Sequence, residues 1–495
     1  MAWRYAFTIS GILIPISLLY SYYRYKFNYF ERRGIPHIKP AMLSRKERSK
    51  HLIQSAYEKF KASTPIVGIF LQSAPAIVVL DLDLVSRVLI DDFSSFCDRL
   101  GEHLDENDLL HSPDNAKWQA MRRRLTPCFW SAKMAQIFPS VIRAAECLEG
   151  KSGGLLQSEY VTIDLKALCT SYAANALLNC VFGVEPDDAS ESAVTLRLRI
   201  KQLLVHEFKT RLSSKAKGSL VDAECMKCTH AQTASQKYLD LEELVRKTRI
   251  GRNADKANNN NILHLLADML ADDEAESSDM NRLGYELEAM HLAVRSLATL
   301  LTGFANSALT LMHCLYELAS NIEVQRQLRQ EIVGVLHSYE HHFSYEAMGH
   351  MHYLDQVVTE TLRKHPATEL LIRRTLREYH VPNSTHVIER GTCVLVPVYA
   401  IQHDPDIYSD PQQFDPTRFD AAAVMARHAC AYLSFDDGPR NCLGKRLSKM
   451  LIKVALVRLL RFHTIARCED TKQPFEDYSR DVESISDILV KLQSI

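Results

Sequence analysis

The stretch SFDDGPRNCLG, residues 434–444, places one cysteine, Cys442, in a run of turn-forming residues. The glycines at 438 and 444 allow a flat ligand to approach closely, or backbone angles that other residues avoid. Arg440 puts a fixed cation near the sulfur, which favours the thiolate. A loop cysteine can fill a core, act as a nucleophile or bind a metal. Nothing in the local sequence identifies a histidine base for a nucleophile, so a metal ligand is the favoured interpretation.

The overall composition limits the possible partners of the chain. Its 495 residues are 46% hydrophobic and 24% charged, with a formal net charge of −1. A nearly neutral chain has no general attraction for nucleic acid. The 12 cysteines are irregularly spaced, as expected of reduced thiols facing the cytosol rather than of a disulfide scaffold. Cys225 and Cys228 form a CxxC with His230 just beyond, but no second metal-binding half follows, which favours an ordinary helix or loop there over a zinc site.

The N-terminal segment predicts a membrane anchor. Residues 5–23, YAFTISGILIPISLLYSYY, carry no charge and are 19 residues long, close to the ~20 that a bilayer core requires. Basic residues from Arg24 to Arg33 follow directly, without a small-residue cleavage site, and would remain in the cytosol. The sequence therefore predicts an anchor at 1–27, a hinge at 28–40 and a globular domain at 41–495, on the cytosolic side of the membrane.

The remaining pattern predicts a mainly α fold with small β-sheets. Residues 296–316 are uncharged and long enough for a bilayer, but Asn306 and His313 would be costly against lipid, so we expect a buried central helix. Alternation in IVGIFLQSAPAIVVLD, residues 66–81, predicts a β-hairpin, and GTCVLVPVYA, residues 391–400, predicts another strand. Most of the sequence between them is typical of helices.

The loop that contains Cys442 resembles the haem-binding motif F-x-x-G-x-R-x-C-x-G of the cytochromes P450. Upstream, ETLRKHP contains Glu360 and Arg363 and resembles the family's E-x-x-R, while FDPTRF resembles its P-E-R-F region through Arg418. Resemblance extends over almost the whole chain. The segments RRRLTPCFWSAKM and LYELASNIEVQRQLRQEI are similar to the animal microsomal branch, particularly insect detoxification enzymes.

The resemblance implies a single cytochrome P450 domain behind the anchor, with haem b (iron protoporphyrin IX) as its cofactor. Cys442 would supply the thiolate ligand of the iron, with Phe435 packed near the sulfur. Trp118 and Arg122 match the family's W-x-x-x-R, whose members face the haem propionates. The same resemblance implies that Arg373 and Arg440 also bind propionates, and that Glu360, Arg363 and Arg418 have structural roles.

The activity implied is insertion of one oxygen atom from O2 into a lipophilic organic substrate. Electrons from NADPH would arrive through NADPH–cytochrome P450 reductase, with cytochrome b5 as a further candidate donor, at the cytosolic face of the endoplasmic reticulum membrane. A basic proximal surface would attract the reductase. Its candidate residues are Arg123, Lys445, Arg446 and Lys449.

The central helix departs from the family pattern. Family members usually have A-G-x-[DE]-T, but this chain has TGFANS, in which Ala305 and Asn306 replace the acid and the alcohol. That pair organises water for proton delivery, and positioned proton transfer is worth roughly 100- to 10,000-fold in rate. Thr302, one turn before Asn306 on the same face, or a water held by Asn306, is expected to substitute. The alternatives are a peroxide isomerase or dehydratase on the same fold, and a haem protein with weak or no turnover.

A second departure lies in the haem loop. The family commonly has glycine or another small residue after the phenylalanine, where this chain has Asp436, followed by Asp437. Two carboxylates near a thiolate disfavour its charge and raise its pKa. Solvent-facing side chains would weaken this effect, so we expect a tolerated surface substitution.

Overall fold

Helices form most of the structure, which is a computed structural model. It describes residues 17–18, 20–39, 49–71, 74–99, 115–150, 160–217, 261–262, 297–471 and 488–494. The predicted CxxC pair and most of the predicted anchor lie outside these residues. Within the described part of the chain, no helix is both long enough and apolar enough to cross a bilayer.

The described helices range from single turns to long rods. They are α1 (Ser49–Phe60), α2 (Leu82–Ser86), α3 (Phe93–Phe96), α4 (Asn115–Leu125), α5 (Ser131–Gly150), α6 (Leu165–Phe182), α7 (Glu191–Lys217), α8 (Leu297–Ser320), α9 (Ile322–Ser338), α10 (Tyr345–Gly349), α11 (His352–Lys364), α12 (Val398–Gln402), α13 (Ala421–Met425) and α14 (Lys445–Leu460). Short tight turns of helix at Thr126–Phe129, Pro416–Phe419 and Gly438–Arg440 join some of them.

Helix α8 is the central helix that the sequence predicts. It packs against α6, α7, α11 and α14. Its side chains are buried on several faces, including Ala305, Leu309 and Leu315. A helix that is apolar nearly all round is stable only inside protein or lipid. Buried polar residues such as His313 show that the surroundings here are protein, and the prediction of a buried helix is confirmed.

The strands in the described part of the chain form three small sheets. The largest has the order β1-β2-β7-β4 and contains the predicted hairpin and the predicted strand near residue 395, so both predictions are confirmed. A three-stranded sheet has the order β3-β9-β8, and β5 pairs with β6. The strands are β1 (Ile66–Leu71), β2 (Ala74–Val79), β3 (Val161–Asp164), β4 (Leu371–Arg374), β5 (Tyr379–His380), β6 (Val387–Ile388), β7 (Cys393–Val396), β8 (His463–Arg467) and β9 (Leu489–Ser494).

Among the described residues, two hydrophobic clusters form the core, and the loop that contains Cys442 joins them. One cluster surrounds α8, and the other surrounds the four-stranded sheet. Leu433 belongs to the sheet cluster, whereas Phe435 and Leu443 pack against the helical cluster. Both ends of the loop are therefore fixed by buried apolar contacts. The mainly α class with small β-sheets is confirmed.

Candidate active site

A tight loop presents Cys442 just before the first turn of α14. The backbone N–H of Cys442 donates to the carbonyl of Phe435 at 2.8 Å, which closes the loop. Helix α14 begins at Lys445, three residues after the cysteine. The free N–H groups of a helix N-terminus favour a neighbouring anion. The loop therefore places the sulfur next to the N-terminus of α14, which favours a negative charge there.

Gly438 is required by the shape of this loop. Its φ of +72° lies in the region that side chains disfavour, and a Cβ atom at this position would lie 2.0 Å from the carbonyl oxygen of Leu89. A larger residue would meet backbone atoms, which cannot rotate away as a side chain can. The glycine that the motif specifies thus lets the loop lie directly against the segment around Leu89.

Cys442 stands out among the cysteines in the described part of the chain, because it is the exposed one and the others are buried or half-buried. Although solvent reaches the thiol, the surrounding protein desolvates the sulfur and raises the pKa of Cys442. The amide of Gly444 and the guanidinium groups of Arg122 and Arg99 act in the opposite direction. The carboxylate of Asp436 raises the pKa further, as the smallest of these influences. Desolvation by the surrounding protein, rather than Asp436, is the main obstacle to ionisation of Cys442.

Helix α4 places Trp118 and Arg122 against the same loop. The guanidinium of Arg440 lies over the ring of the buried Trp118, 4.2 Å from its centre. Arg122 donates to the carbonyl oxygen and to the side-chain oxygen of Asn441, both at 2.6 Å. The spacing of four residues thus brings both side chains to neighbouring positions of the loop. Trp118, Arg122 and Arg440 therefore meet at the loop that contains Cys442.

Arg373 meets the loop from strand β4, and its partner is Asp436. The Nη2 group of Arg373 donates to the two carboxylate oxygens of Asp436 at 2.7 and 2.9 Å. A second arginine, Arg99, donates to the same carboxylate at 2.8 Å and to the carbonyl of Arg440 at 2.6 Å. Asp436 therefore joins two guanidinium groups that lie far apart in sequence.

The expectation that Asp436 faces solvent is wrong. Its side chain is 7% exposed, and that of Arg373 is 2% exposed. The backbone at Asp436 has a φ of +59°, a left-handed conformation that aspartate tolerates better than most residues. This conformation turns the carboxylate inward, where the two arginines compensate its charge.

Replacing Asp436 by asparagine is expected to destabilise the protein by about 1.5–3 kcal/mol, the range for hydrogen bonds to charged groups. Asparagine keeps the shape but leaves Arg99 and the buried Arg373 without a carboxylate. Thermal or urea unfolding would measure the change. Asp437→Asn is the matched control, because Asp437 accepts only from the backbone N–H of Gly438 among the contacts described here. Equal stability of the two variants would contradict the role assigned to Asp436.

Glu360 and Arg363 form a fully buried pair on α11. Arg363 donates to both carboxylate oxygens of Glu360, at 2.7 and 2.8 Å, and each side chain is 0% exposed. Arg363 also donates to the carbonyl of Gln402 at 3.0 Å. Arg418 lies 3.6 Å from Glu360. The structure brings together the three residues for which structural roles are expected, and they tie α11 to the segments that precede the Cys442 loop.

Helix α8 runs beside α14 and brings its unusual residues toward the site. The hydroxyls of Ser307 on α8 and Ser448 on α14 lie 2.8 Å apart. At Gly303, a Cβ atom would have no neighbour within 4 Å among the described residues, which leave open space at this face of the helix. The side-chain oxygen of Asn306 is buried and has no hydrogen-bond partner in the described part of the chain. Open space beside a buried hydrogen-bond acceptor such as the Asn306 oxygen can hold a bound molecule together with ordered water.

The hydroxyl of Thr302 has a partner that the sequence does not reveal. It donates to a carboxylate oxygen of Glu207, on α7, at 3.1 Å. Glu207 is 95 residues away along the chain, and no local pattern distinguishes it from other glutamates. Arg99 was missed for the same reason, because its contact with Asp436 spans 337 residues.

The predicted basic surface is smaller than expected. Arg123, Lys445 and Arg446 are exposed near the loop. Lys449 is instead half-buried and donates to the carboxylate of Asp355 at 3.0 Å, which compensates its charge. Three of the four candidate cations therefore remain available at the surface.

Comparisons with known proteins agree with this geometry. A family model described as "Cytochrome P450" matches residues 34–486. The chain is 33% identical to "Probable cytochrome P450 6a13" of Drosophila melanogaster, with 94% of each chain covered. It is 32% identical to "Cytochrome P450 6A1" of Musca domestica, covering 95% of this chain and 94% of the relative. Identity to "Cytochrome P450 6a2" of Drosophila melanogaster is 31%, covering 95% and 96% of the two chains.

Proposed function

The chain belongs to the cytochrome P450 family, and we propose that it oxidises a lipophilic organic molecule with electrons from a membrane-bound reductase. Family membership makes it an oxidoreductase of the P450 monooxygenase type with haem b as cofactor. The observation that carries the proposal is the exposed thiol of Cys442, held among arginines before the first turn of α14.

Cys442 is proposed as the ligand of the haem iron. Its thiolate would be stabilised by the N-terminus of α14 and by Arg122. Phe435, whose carbonyl accepts from the N–H of Cys442, would keep the sulfur in place. Haem b, once bound, supplies the activation of dioxygen.

Four arginines are proposed to hold the two propionates. Two of these arginines, Arg99 and Arg373, already pair with Asp436, so the four guanidinium groups exceed that carboxylate in charge and could also compensate two propionates. Burying propionates without cations would be costly, and guanidinium groups bind carboxylates in bidentate fashion. The four are Arg99, Arg122, Arg373 and Arg440.

Electron delivery is proposed at the surface next to the loop. Arg123, Lys445 and Arg446 are exposed there, and a positive patch accelerates encounter with an acidic partner. NADPH–cytochrome P450 reductase is the proposed donor, with cytochrome b5 as a second candidate. The uncharged N-terminal segment at residues 5–23 supports placement on the endoplasmic reticulum membrane.

The test is a comparison of two reactions of the full-length protein. In the first, NADPH and the reductase are supplied with isotopically labelled dioxygen and a panel of lipophilic probes. In the second, an organic hydroperoxide is supplied without a reductase. We expect labelled oxygen in the product of the first reaction. Rearrangement of the hydroperoxide without any reductase-dependent product would instead establish the peroxide isomerase or dehydratase that Ala305 and Asn306 suggest.

A further inference from the structure

Glu207 and Thr302 link two helices at the open face of α8. The Thr302 hydroxyl donates to the Glu207 carboxylate at 3.1 Å, and both side chains are half-buried. Glu207 lies on α7 (Glu191–Lys217), which packs along α8. An acid and an alcohol therefore meet here although α8 lacks the usual acid in its own sequence.

Thr302, the α8 member of this pair, lies on the same side of the helix as the buried side-chain oxygen of Asn306. Thr302 and Asn306 are four residues apart on α8, so their side chains share one face of the helix. The side-chain oxygen of Asn306 has no partner among the described residues. A water molecule that donates a hydrogen bond to this oxygen would also reach toward Thr302, because ordered water can bridge polar groups that are not in direct contact.

We propose that Glu207 is a positioning residue that delivers protons through Thr302 to water held by Asn306. This inference rests on the proposed monooxygenase function, which consumes protons at the site. In the structure the Thr302 hydroxyl donates to the Glu207 carboxylate, so for each transfer it first turns toward that water while Glu207 takes up a proton from solvent and donates to the Thr302 oxygen. Glu207 then gives its proton to the Thr302 oxygen as the Thr302 hydroxyl releases its own proton to the water, and the new hydroxyl hydrogen points at the Glu207 carboxylate as before. Both side chains return to their starting state, and one proton has moved from solvent to the site.

The position of Glu207 is suited to this role. It is half-buried, so it contacts the interior through Thr302 while remaining within reach of solvent. A carboxyl group on a neighbouring helix can thus replace the acid of the family pattern, whose position on α8 is occupied by Ala305. General acid catalysis depends on the position of the proton donor, whichever element carries it.

The test uses the full-length protein with NADPH and reductase, and the variants Glu207→Gln, Thr302→Val and Thr302→Ser. Losing positioned proton transfer is expected to lower product formation by about 100-fold in the first two variants. The fraction of electrons released as hydrogen peroxide and the solvent deuterium isotope effect should both rise. Thr302→Ser keeps the hydroxyl and should restore most of the activity. Glu191→Gln, the same change at the exposed start of α7, is the matched control and should leave all three quantities unchanged.

A second measurement examines the hydrogen bond in the resting protein. An infrared pH titration should show a carboxyl band that Glu207→Gln removes and Thr302→Val shifts. A band unaffected by Thr302→Val would overturn the inference, as would Glu207→Gln with normal peroxide release and a normal isotope effect.

Two further outcomes separate the alternatives. If Glu207→Gln changes only the affinity for cationic probes, Glu207 binds substrate and the relay is overturned. If the wild type oxygenates a probe and the Glu207→Gln variant does so equally well, only this inference is overturned. A wild type without reductase-dependent oxygenation overturns the proposed function, and this inference with it.

Discussion

Replacing Cys442 by alanine is expected to abolish thiolate ligation and to reduce oxygenation to background. Alanine has no atom that can bind iron, so only the arginines and apolar contacts would remain to retain haem. The haem-to-protein ratio after gel filtration and the rate of product formation would measure both effects. Cys468→Ala is the matched control, because Cys468 lies at the end of β8, with its sulfur near Thr471 and Leu489.

The control makes the prediction specific to one cysteine. Cys468→Ala should retain wild-type haem content and turnover, even if it lowers stability slightly. A Cys442→Ala variant that retained haem with an unchanged spectrum and turned over substrate would contradict the assignment of the ligand.

Replacing Arg363 by alanine is expected to cost about 3–5 kcal/mol of stability, the range for removing one partner of a buried ion pair. Glu360 would remain as a fully buried carboxylate, and the carbonyl of Gln402 would lose a donor. Urea unfolding would measure the change. Such a loss is a large part of the total stability of an ordinary protein, so poor expression is also expected.

The chain contains a matched control for this prediction. Glu323 and Arg326 form an ion pair with the same spacing, at 2.5 Å on α9, but their side chains are 75% and 56% exposed. Arg326→Ala is therefore expected to leave the urea midpoint close to that of the wild type, because exposed ion pairs contribute little to stability. Similar losses in the two variants would show that burial does not determine the contribution of Arg363. In that case the structural role of the E-x-x-R motif would have to be reconsidered.

A large part of the fold can be predicted because its signals are local. Alternation gives the hairpin of β1 and β2, and an uncharged segment with internal polar residues gives the buried helix α8. The positions of Cys442, Arg440 and Phe435 follow from a motif of ten residues. Trp118 and Arg122 are found because they resemble the family's W-x-x-x-R.

The contacts that could not be predicted join residues far apart in sequence. Asp436 looks like a surface substitution in the sequence, yet a φ of +59° turns it toward Arg99 and Arg373. The partner of Thr302 comes from another helix. Neither contact has a spacing rule, because each depends on how separate elements pack. Charge complementarity between distant residues becomes visible only once the fold is known.

The departures from the family pattern are compensated within the structure. The carboxylate of Asp436 is paired with two arginines, so its influence on the Cys442 thiol is the smallest of those acting there. The acid absent from α8 has a counterpart in Glu207 on α7. Both departures from the pattern thus have a structural counterpart in the described part of the chain.

The central claim is that the Cys442 sulfur binds the haem iron, and the most direct test is the difference spectrum of the reduced protein with and without carbon monoxide. The purified full-length chain is expected to show the long-wavelength absorbance maximum that is characteristic of thiolate ligation. A spectrum of the histidine-ligated type, or no porphyrin absorbance at all, would contradict the claim.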